Sequence, residues 1–159
     1  MFYTRHLTTE PLRLQLTERR PASYVIAMEI ELGTWQLAPS DGFWTDQSSE
    51  QSASLLRHAL ALGIRSFDTA QSYGHGRAEQ MLGSILPPSG DFLISTKFMP
   101  TTKNLKQVLQ KSISRLKGLP VNRLYLHWPS SRLDWKKNLF ELQKLKEEGL
   151  IRKTGVCNL

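Results

Sequence analysis

Residues 59–83 read ALALGIRSFDTAQSYGHGRAEQMLG, and this stretch contains the signals that decide the fold class. It begins with the end of an amphipathic helix that Gly63 can stop. The short β-rich segment Ile64–Asp68 follows and predicts a strand. A second helix is predicted after an intervening loop, with apolar positions at Ala78, Met81, Leu82 and Ile85 and a stop at Pro87-Pro88. The stretch is therefore one strand–loop–helix unit.

The same unit recurs on both sides of this stretch. The other predicted strands are Glu29–Leu37, Phe92–Lys97, Arg123–His127 and Ile151–Val156. A helix capped near Ser49 precedes the stretch, and its predicted inner face is Leu55, Leu56, Ala59 and Leu60. The third helix carries Leu105, Val108, Leu109 and Leu116, and the fourth carries Trp135, Leu139, Leu142 and Leu145. Strands that alternate with helices favour a parallel α/β sheet with right-handed crossovers.

The spacing of the strand ends selects the architecture. Four predicted strands end at or next to Asp68, Lys97, His127 and Cys157, which are separated by 29, 30 and 30 residues. Such a period is typical of a (β/α)₈ TIM barrel, which needs about 250 residues to complete eight units. Five of the eight units are present, so we predict an incomplete barrel that does not close. The alternative, a doubly wound sheet, lacks its glycine fingerprint, because residues 33–42 read GTWQLAPSDG.

This architecture carries further expectations. Residues 1–28 are predicted to form an N-terminal extension or hairpin, and residues 29–159 a truncated barrel domain. An unclosed barrel would leave two strand edges unpaired and the inward strand faces exposed as apolar surface, so self-association is expected.

Composition limits the classes of function. The chain is 40% hydrophobic and 22% charged and has no apolar run near the ~20 residues that cross a bilayer, so no membrane role is predicted. Its one cysteine, Cys157, cannot form an internal disulfide, which fits the cytoplasm. The net charge of +7 arises in residues 97–159, mostly on polar helix faces. Because no nucleic-acid-binding motif accompanies it, no nucleic-acid partner is predicted.

Four polar side chains share one end of the predicted barrel. Asp68, Lys97 and His127 end successive strands, and Tyr73 lies in the loop after the second. A phenol donates a proton more readily when an adjacent ammonium stabilises its anion, so Lys97 could activate Tyr73, and Asp68 could keep Lys97 charged. His127 could orient a carbonyl oxygen. Each residue alone has an ordinary explanation, as a cap, a solvated charge or a core histidine, but four together favour catalysis. No metal site is predicted.

Several stretches together resemble the aldo-keto reductase family, from about Leu32 to Leu159. GTWQL is similar to the family's first strand and residues 59–83 to its second-strand signature. ISTK, LYLHWP and EGLIRKTGVCN are similar to its third, fourth and fifth strands. The arrangement GxGRAE resembles the bacterial and potassium-channel-β branch more than the aldose reductase branch.

The resemblance implies hydride transfer from NADP(H) to an aldehyde or ketone as the small carbonyl substrate. It implies a catalytic tetrad in which Tyr73 is the general acid, Lys97 and Asp68 tune it and His127 positions the substrate. Residues implied to bind the cofactor are Thr34, Trp35, Asp68, Cys157 and Asn158. The cysteine replaces a family serine and would weaken one hydrogen bond to the carboxamide. Trp128 is implied to shape the substrate side.

Family members continue with three more strands, which carry an aromatic that stacks on the nicotinamide and basic residues that grip the 2′-phosphate. The chain alone is therefore expected to bind NADPH weakly or not at all. Two other interpretations remain open: a regulatory or binding module with the shape of a reductase, and an inactive gene fragment.

Overall fold

A computed structural model describes residues 30–39, 47–130, 132 and 134–158. The predictions for residues 1–29 lie outside the described residues. The strands are β1 Glu31–Gly33, β2 Ser66–Asp68, β3 Leu93–Phe98, β4 Arg123–His127 and β5 Lys153–Cys157. The helices are α1 Ser49–Ala61, α2 Arg77–Ile85, α3 Leu105–Arg115 and α4 Lys136–Glu147. Two 3₁₀ turns cover Trp35–Leu37 and Tyr73–Gly76.

The five strands form one parallel sheet in the order β1-β2-β3-β4-β5. Strand order follows chain order without a reversal in this sheet, which rules out the doubly wound alternative for the described residues. Right-handed crossovers in a sequential sheet place all the helices on one face. The prediction of five barrel units in an unclosed sheet is confirmed.

The two faces of the sheet differ in chemistry. Phe67, Ile94 and Leu124 are fully buried in a core cluster shared with the helices. Because side chains alternate along a strand, the opposite positions form a second surface, which we call the inner face. The inner face includes Glu31, Gly33, Ser66, Asp68, Leu93, Ser95, Lys97, Arg123, Tyr125, His127, Lys153, Gly155 and Cys157. It is mainly polar or small, so the expectation of an apolar inward surface was wrong.

Local chemistry sets the helix limits. Ser48 caps α1 in a reciprocal capping box with Gln51, and the Asn104 side chain caps α3 by accepting the Gln107 amide at 2.9 Å. Helices α1, α3 and α4 are followed by glycines with positive φ, at the predicted Gly63 and at Gly118 and Gly149.

The first strand, Glu31–Gly33, covers only three residues of the predicted Glu29–Leu37. The chain leaves the sheet at Thr34, whose amide and hydroxyl both donate to the Asp68 carbonyl, at 2.9 and 3.0 Å. These bonds turn the backbone, and Trp35–Leu37 then closes a 3₁₀ turn with the Leu37 amide on the Thr34 carbonyl. The second strand begins at Ser66, later than the predicted Ile64, because the Ile64 amide donates to the Ala59 carbonyl at the end of α1.

Two apolar helix positions were assigned to the wrong face. Leu55 of α1 and Leu139 of α4 are exposed, whereas their predicted partners Leu56 and Leu142 are buried. Each of these leucines lies at the margin of its helix's apolar stripe.

Asn122 joins three strands at their amino ends. This buried residue accepts the Ile94 amide of β3 on its side-chain oxygen at 2.7 Å. Its backbone carbonyl accepts the amides of Arg152 and Lys153, at 2.9 and 3.0 Å. Strand five therefore pairs from Lys153, later than the predicted start at Ile151, and it extends to Cys157.

Candidate active site

Lys97 is the centre of a hydrogen-bonded group at the carboxyl ends of the strands. Its Nζ donates to Asp68 Oδ2 at 2.6 Å, to the Tyr73 hydroxyl at 2.9 Å and to the Thr69 carbonyl at 3.0 Å. Adjacent parallel strands bring Lys97 and Asp68 together, and the loop after β2 brings Tyr73 back over them. Three of the four predicted catalytic residues thus meet at one nitrogen.

The Lys97 ammonium is retained despite its burial. Lys97 is only 7% exposed, and burial alone would lower its pKa. Hydrogen bonds to Asp68 and Tyr73 and the charge of Asp68 outweigh that cost, so the pKa of Lys97 is raised above its ordinary value. A permanent positive charge therefore lies 2.9 Å from the Tyr73 oxygen.

The loop that carries Tyr73 has an unusual backbone. Gly74, His75 and Gly76 all have positive φ, of 54°, 55° and 91°. At Gly74 a Cβ atom would lie 2.7 Å from Ala38 Cβ, so only glycine permits the close approach of these two loops. The approach brings Trp35 onto the Tyr73 ring, where the two rings stack with centroids 5.9 Å apart.

His127 also contacts the ring of Tyr73. Their ring centroids lie 6.3 Å apart at 82°, edge to face. Burial, with repulsion from Lys97, lowers the pKa of His127 to about 4. The imidazole is therefore neutral at neutral pH and can hydrogen-bond through one nitrogen as a donor and the other as an acceptor.

Trp128 lies next to His127 and opens toward solvent. Its backbone has a φ of 58°, its side chain is exposed, and its ring centroid is 5.8 Å from that of His127. The Trp128 amide donates to the Cys157 carbonyl at 3.1 Å, which links the ends of β4 and β5. Trp35 and Trp128 thus present exposed aromatic surface near Tyr73 and His127 respectively.

The remaining predicted cofactor residues differ in access. Thr34 is fully buried, and its hydroxyl donates a hydrogen bond to the Asp68 carbonyl, so it supports the backbone of the site. The Cys157 thiol lies 3.7 Å from the Leu126 carbonyl, and burial raises its pKa. Asn158 is exposed just beyond β5, with a φ of 59°.

Sequence reasoning missed a polar group behind the site. Glu79 of α2 is fully buried and bonds to Thr96 and Arg115, and the Gln71 side chain donates to Ser112 Oγ at 2.9 Å. A glutamate at helical spacing beside the apolar positions Ala78 and Leu82 was the available signal, because a buried carboxylate requires a partner.

The described part of the chain contains no group of three or more His, Cys, Asp or Glu side chains that could hold a metal ion. Among these residues there is also no helix long and apolar enough to cross a membrane.

The sequence of this chain is similar to those of known proteins. The aldo/keto reductase family model matches residues 29–159. Methylglyoxal reductase DkgA of Yersinia pestis is 35% identical over 136 residues, which cover 81% of this chain and 48% of that protein.

Solved structures agree with the sequence comparison. The thermostable aldo-keto reductase Tm1743, crystallised with the inhibitor epalrestat, superposes with a TM-score of 0.69 at 31% identity and covers 81% of this chain and 48% of its own. An aldo-keto reductase from Klebsiella pneumoniae in complex with NADPH gives a TM-score of 0.68 at 26% identity, with coverage of 82% and 45%. The chain therefore spans about half the length of the relatives it matches.

Proposed function

The chain belongs to the aldo/keto reductase family, and from this premise we propose that it carries the reacting centre of an NADP(H)-dependent reductase of small aldehydes or ketones. The Klebsiella relative was crystallised with NADPH, and the Yersinia relative is named a methylglyoxal reductase. Residues 29–159 are then the barrel domain, and residues 1–28 an extension.

The observation that carries this proposal is the ammonium of Lys97 on the Tyr73 hydroxyl. In the proposed step the Tyr73 O–H bond breaks and its proton moves to the carbonyl oxygen of the substrate. The charge left on the phenolate is stabilised by Lys97 Nζ at 2.9 Å. Asp68, at 2.6 Å from the same nitrogen, keeps Lys97 protonated throughout.

His127 is proposed to hold the carbonyl oxygen from the side opposite Tyr73. Its neutral imidazole can donate one N–H hydrogen bond without competing as a proton source, since its pKa is about 4. The 6.3 Å between the two ring centroids leaves the oxygen within reach of both side chains. Trp35 and Trp128 would then form apolar walls around the substrate.

The donors at this end of the sheet suit a nicotinamide. Asn158 presents an exposed side-chain amide just beyond β5, and an amide complements the donor and acceptor of a carboxamide. Cys157, a weaker hydrogen-bonding group, occupies the preceding position. When bound, NADP(H) supplies the hydride that reduces the carbonyl carbon.

The proposal is tested by NADPH consumption with methylglyoxal as the probe substrate. At a high NADPH concentration, which offsets the weak binding expected of this chain, NADPH should be oxidised in the presence of the carbonyl, and Tyr73→Phe should reduce the rate by about 10²- to 10⁴-fold. Tyr125→Phe is the matched control, because Tyr125 lies on the same inner face but packs its ring on Gly155. A Tyr73→Phe protein as active as its parent would overturn the assignment of the acid.

Two further measurements test the binding-module interpretation and the expected self-association. Binding of NADPH in a fluorescence titration without any turnover would favour a regulatory or binding module. Sedimentation tests the predicted self-association, for which the exposed edges of β1 and β5 in the described sheet are the proposed contacts.

A further inference from the structure

A buried ion pair lies behind the Tyr73 loop, on the helix side of the sheet. Glu79 Oε1 accepts the Thr96 hydroxyl at 2.7 Å, and Glu79 Oε2 accepts Arg115 Nη1 at 3.0 Å. The Glu79 side chain is fully buried, whereas that of Arg115 is 30% exposed. The pair therefore joins α2, β3 and α3 and fixes the guanidinium of Arg115.

That guanidinium packs directly on the loop that carries Tyr73. A Cβ atom placed on Gly76 would lie 2.5 Å from Arg115 Cζ and 2.6 Å from its Nε. Gly76 also has a φ of 91°, which side chains larger than hydrogen rarely adopt. Only a glycine lets the planar group of Arg115 support the backbone three residues beyond Tyr73.

Helix α3 also holds the loop before Tyr73. The Gln71 side-chain amide donates to Ser112 Oγ at 2.9 Å and to the Val108 carbonyl at 3.3 Å. Thus Gln71 and Gly76, on either side of Tyr73, are both held by α3. The same Glu79 that fixes Arg115 binds Thr96, the neighbour of Lys97 in β3, so both partners of the Tyr73–Lys97 hydrogen bond are tied to one buried carboxylate.

We propose that Arg115 is a positioning residue of the reaction, which sets the Tyr73 hydroxyl against Lys97 by bracing the loop at Gly76. Arg115 acts through the loop backbone, since it lies on the opposite side of the sheet from the inner face. This inference rests on the proposed function, in which Tyr73 transfers the proton.

The decisive variant is Arg115→Lys. It keeps a positive charge for Glu79 but removes the planar group from Gly76. A residue that served only to neutralise Glu79 would be rescued by lysine, whereas a brace would not. We expect near-parent Tm, a kcat reduced by about 10²-fold and little change in KM, because a displacement near 1 Å costs a reacting group about this much.

Lys106→Met is the matched control. It breaks another ion pair of α3, the exposed one between Lys106 and Glu148 at 2.7 Å, but it touches no part of the loop. Its kcat should equal that of the parent. An Arg115→Lys protein with the parent kcat would overturn the proposal.

A second readout does not depend on turnover. In protein labelled with ¹³C at tyrosine Cζ, the Tyr73 signal is the one that Tyr73→Phe removes. This signal should move in Arg115→Lys and stay in Lys106→Met. An unmoved signal in Arg115→Lys overturns the inference, whereas a moved signal in a chain without reductase activity supports the brace and rejects only the proposed function.

Discussion

The inner face of the sheet carries two polar clusters, one at each end of the strands, and both are built around a single charged atom. At the amino end, Glu31 Oε1 accepts hydrogen bonds from Ser66 Oγ at 2.9 Å, Ser95 Oγ at 3.0 Å and Arg123 Nη1 at 3.0 Å. At the carboxyl end, Lys97 Nζ donates to three oxygens. The two clusters have similar distances but opposite charge.

They differ in where the partners come from. Every member of the amino-end cluster lies on a strand, so its side chains are fixed by the sheet register. The carboxyl-end cluster adds Tyr73 from a loop, and a loop residue can face a small molecule that approaches from solvent. Hydrogen bonding alone therefore does not distinguish a reactive site from a structural one. The difference between the two clusters is that the proton donor of the carboxyl-end cluster, Tyr73, comes from a loop.

Lys97→Met should show the largest functional difference between the two clusters, through a large loss of activity with little loss of stability. It removes the charge that stabilises the Tyr73 anion, so kcat should fall by about 10²-fold or more. Tm should change little, because methionine keeps most of the buried stem and the partly exposed Asp68 carboxylate can be hydrated. Steady-state kinetics and thermal unfolding measure the two quantities. A large drop in Tm would instead assign Lys97 a structural ion pair like that of Arg123.

His127→Gln should change the pH dependence of stability. The pKa of His127 is about 4 in the folded chain against 6.5 in an unfolded one, so acidification protonates the unfolded chain first. The contribution of His127 to the free energy of unfolding is complete above pH 6.5. It is lost as pH falls toward 4, and the loss amounts to up to about 3 kcal/mol. When the free energy of unfolding, measured in urea, is plotted against pH, its slope between pH 4 and 6.5 should be shallower in the variant. An unchanged slope would contradict the lowered pKa.

Arg123→Met should produce the smallest effect and the opposite pattern to Lys97→Met. Loss of its hydrogen bond to the partly exposed Glu31 should cost about 1 kcal/mol of unfolding free energy. The kcat of the folded fraction should be that of the parent. Chemical unfolding and steady-state kinetics test this, and a reduced kcat would show that the two ends of the inner face are coupled.

The sequence pattern predicted the repeated strands and helices, but it did not predict the features that occur only once. The period from Asp68 to Cys157 predicted the parallel strands and the shared end on which Asp68, Lys97 and Tyr73 meet. It could not predict the 3₁₀ turn at Trp35, because that turn depends on hydrogen bonds from Thr34 to the Asp68 carbonyl, 34 residues further along the chain.

Long-range pairs were equally invisible. Glu31 and Arg123 are 92 positions apart, and neither belongs to a motif. Glu79 and Arg115 lie on different helices, so no single periodicity relates them. Burial of a charge is a property of the packed chain, and only the packing identifies its partner.

Asn122 fixes the start of strand β5 through its backbone. Its carbonyl accepts two successive amides, those of Arg152 and Lys153, although the Lys153 side chain is exposed. At the other end of the strand the Cys157 carbonyl accepts the Trp128 amide, so β5 is held at both ends. In hydrogen exchange the amides of Arg152 and Lys153 should therefore be protected even though the Lys153 side chain faces solvent.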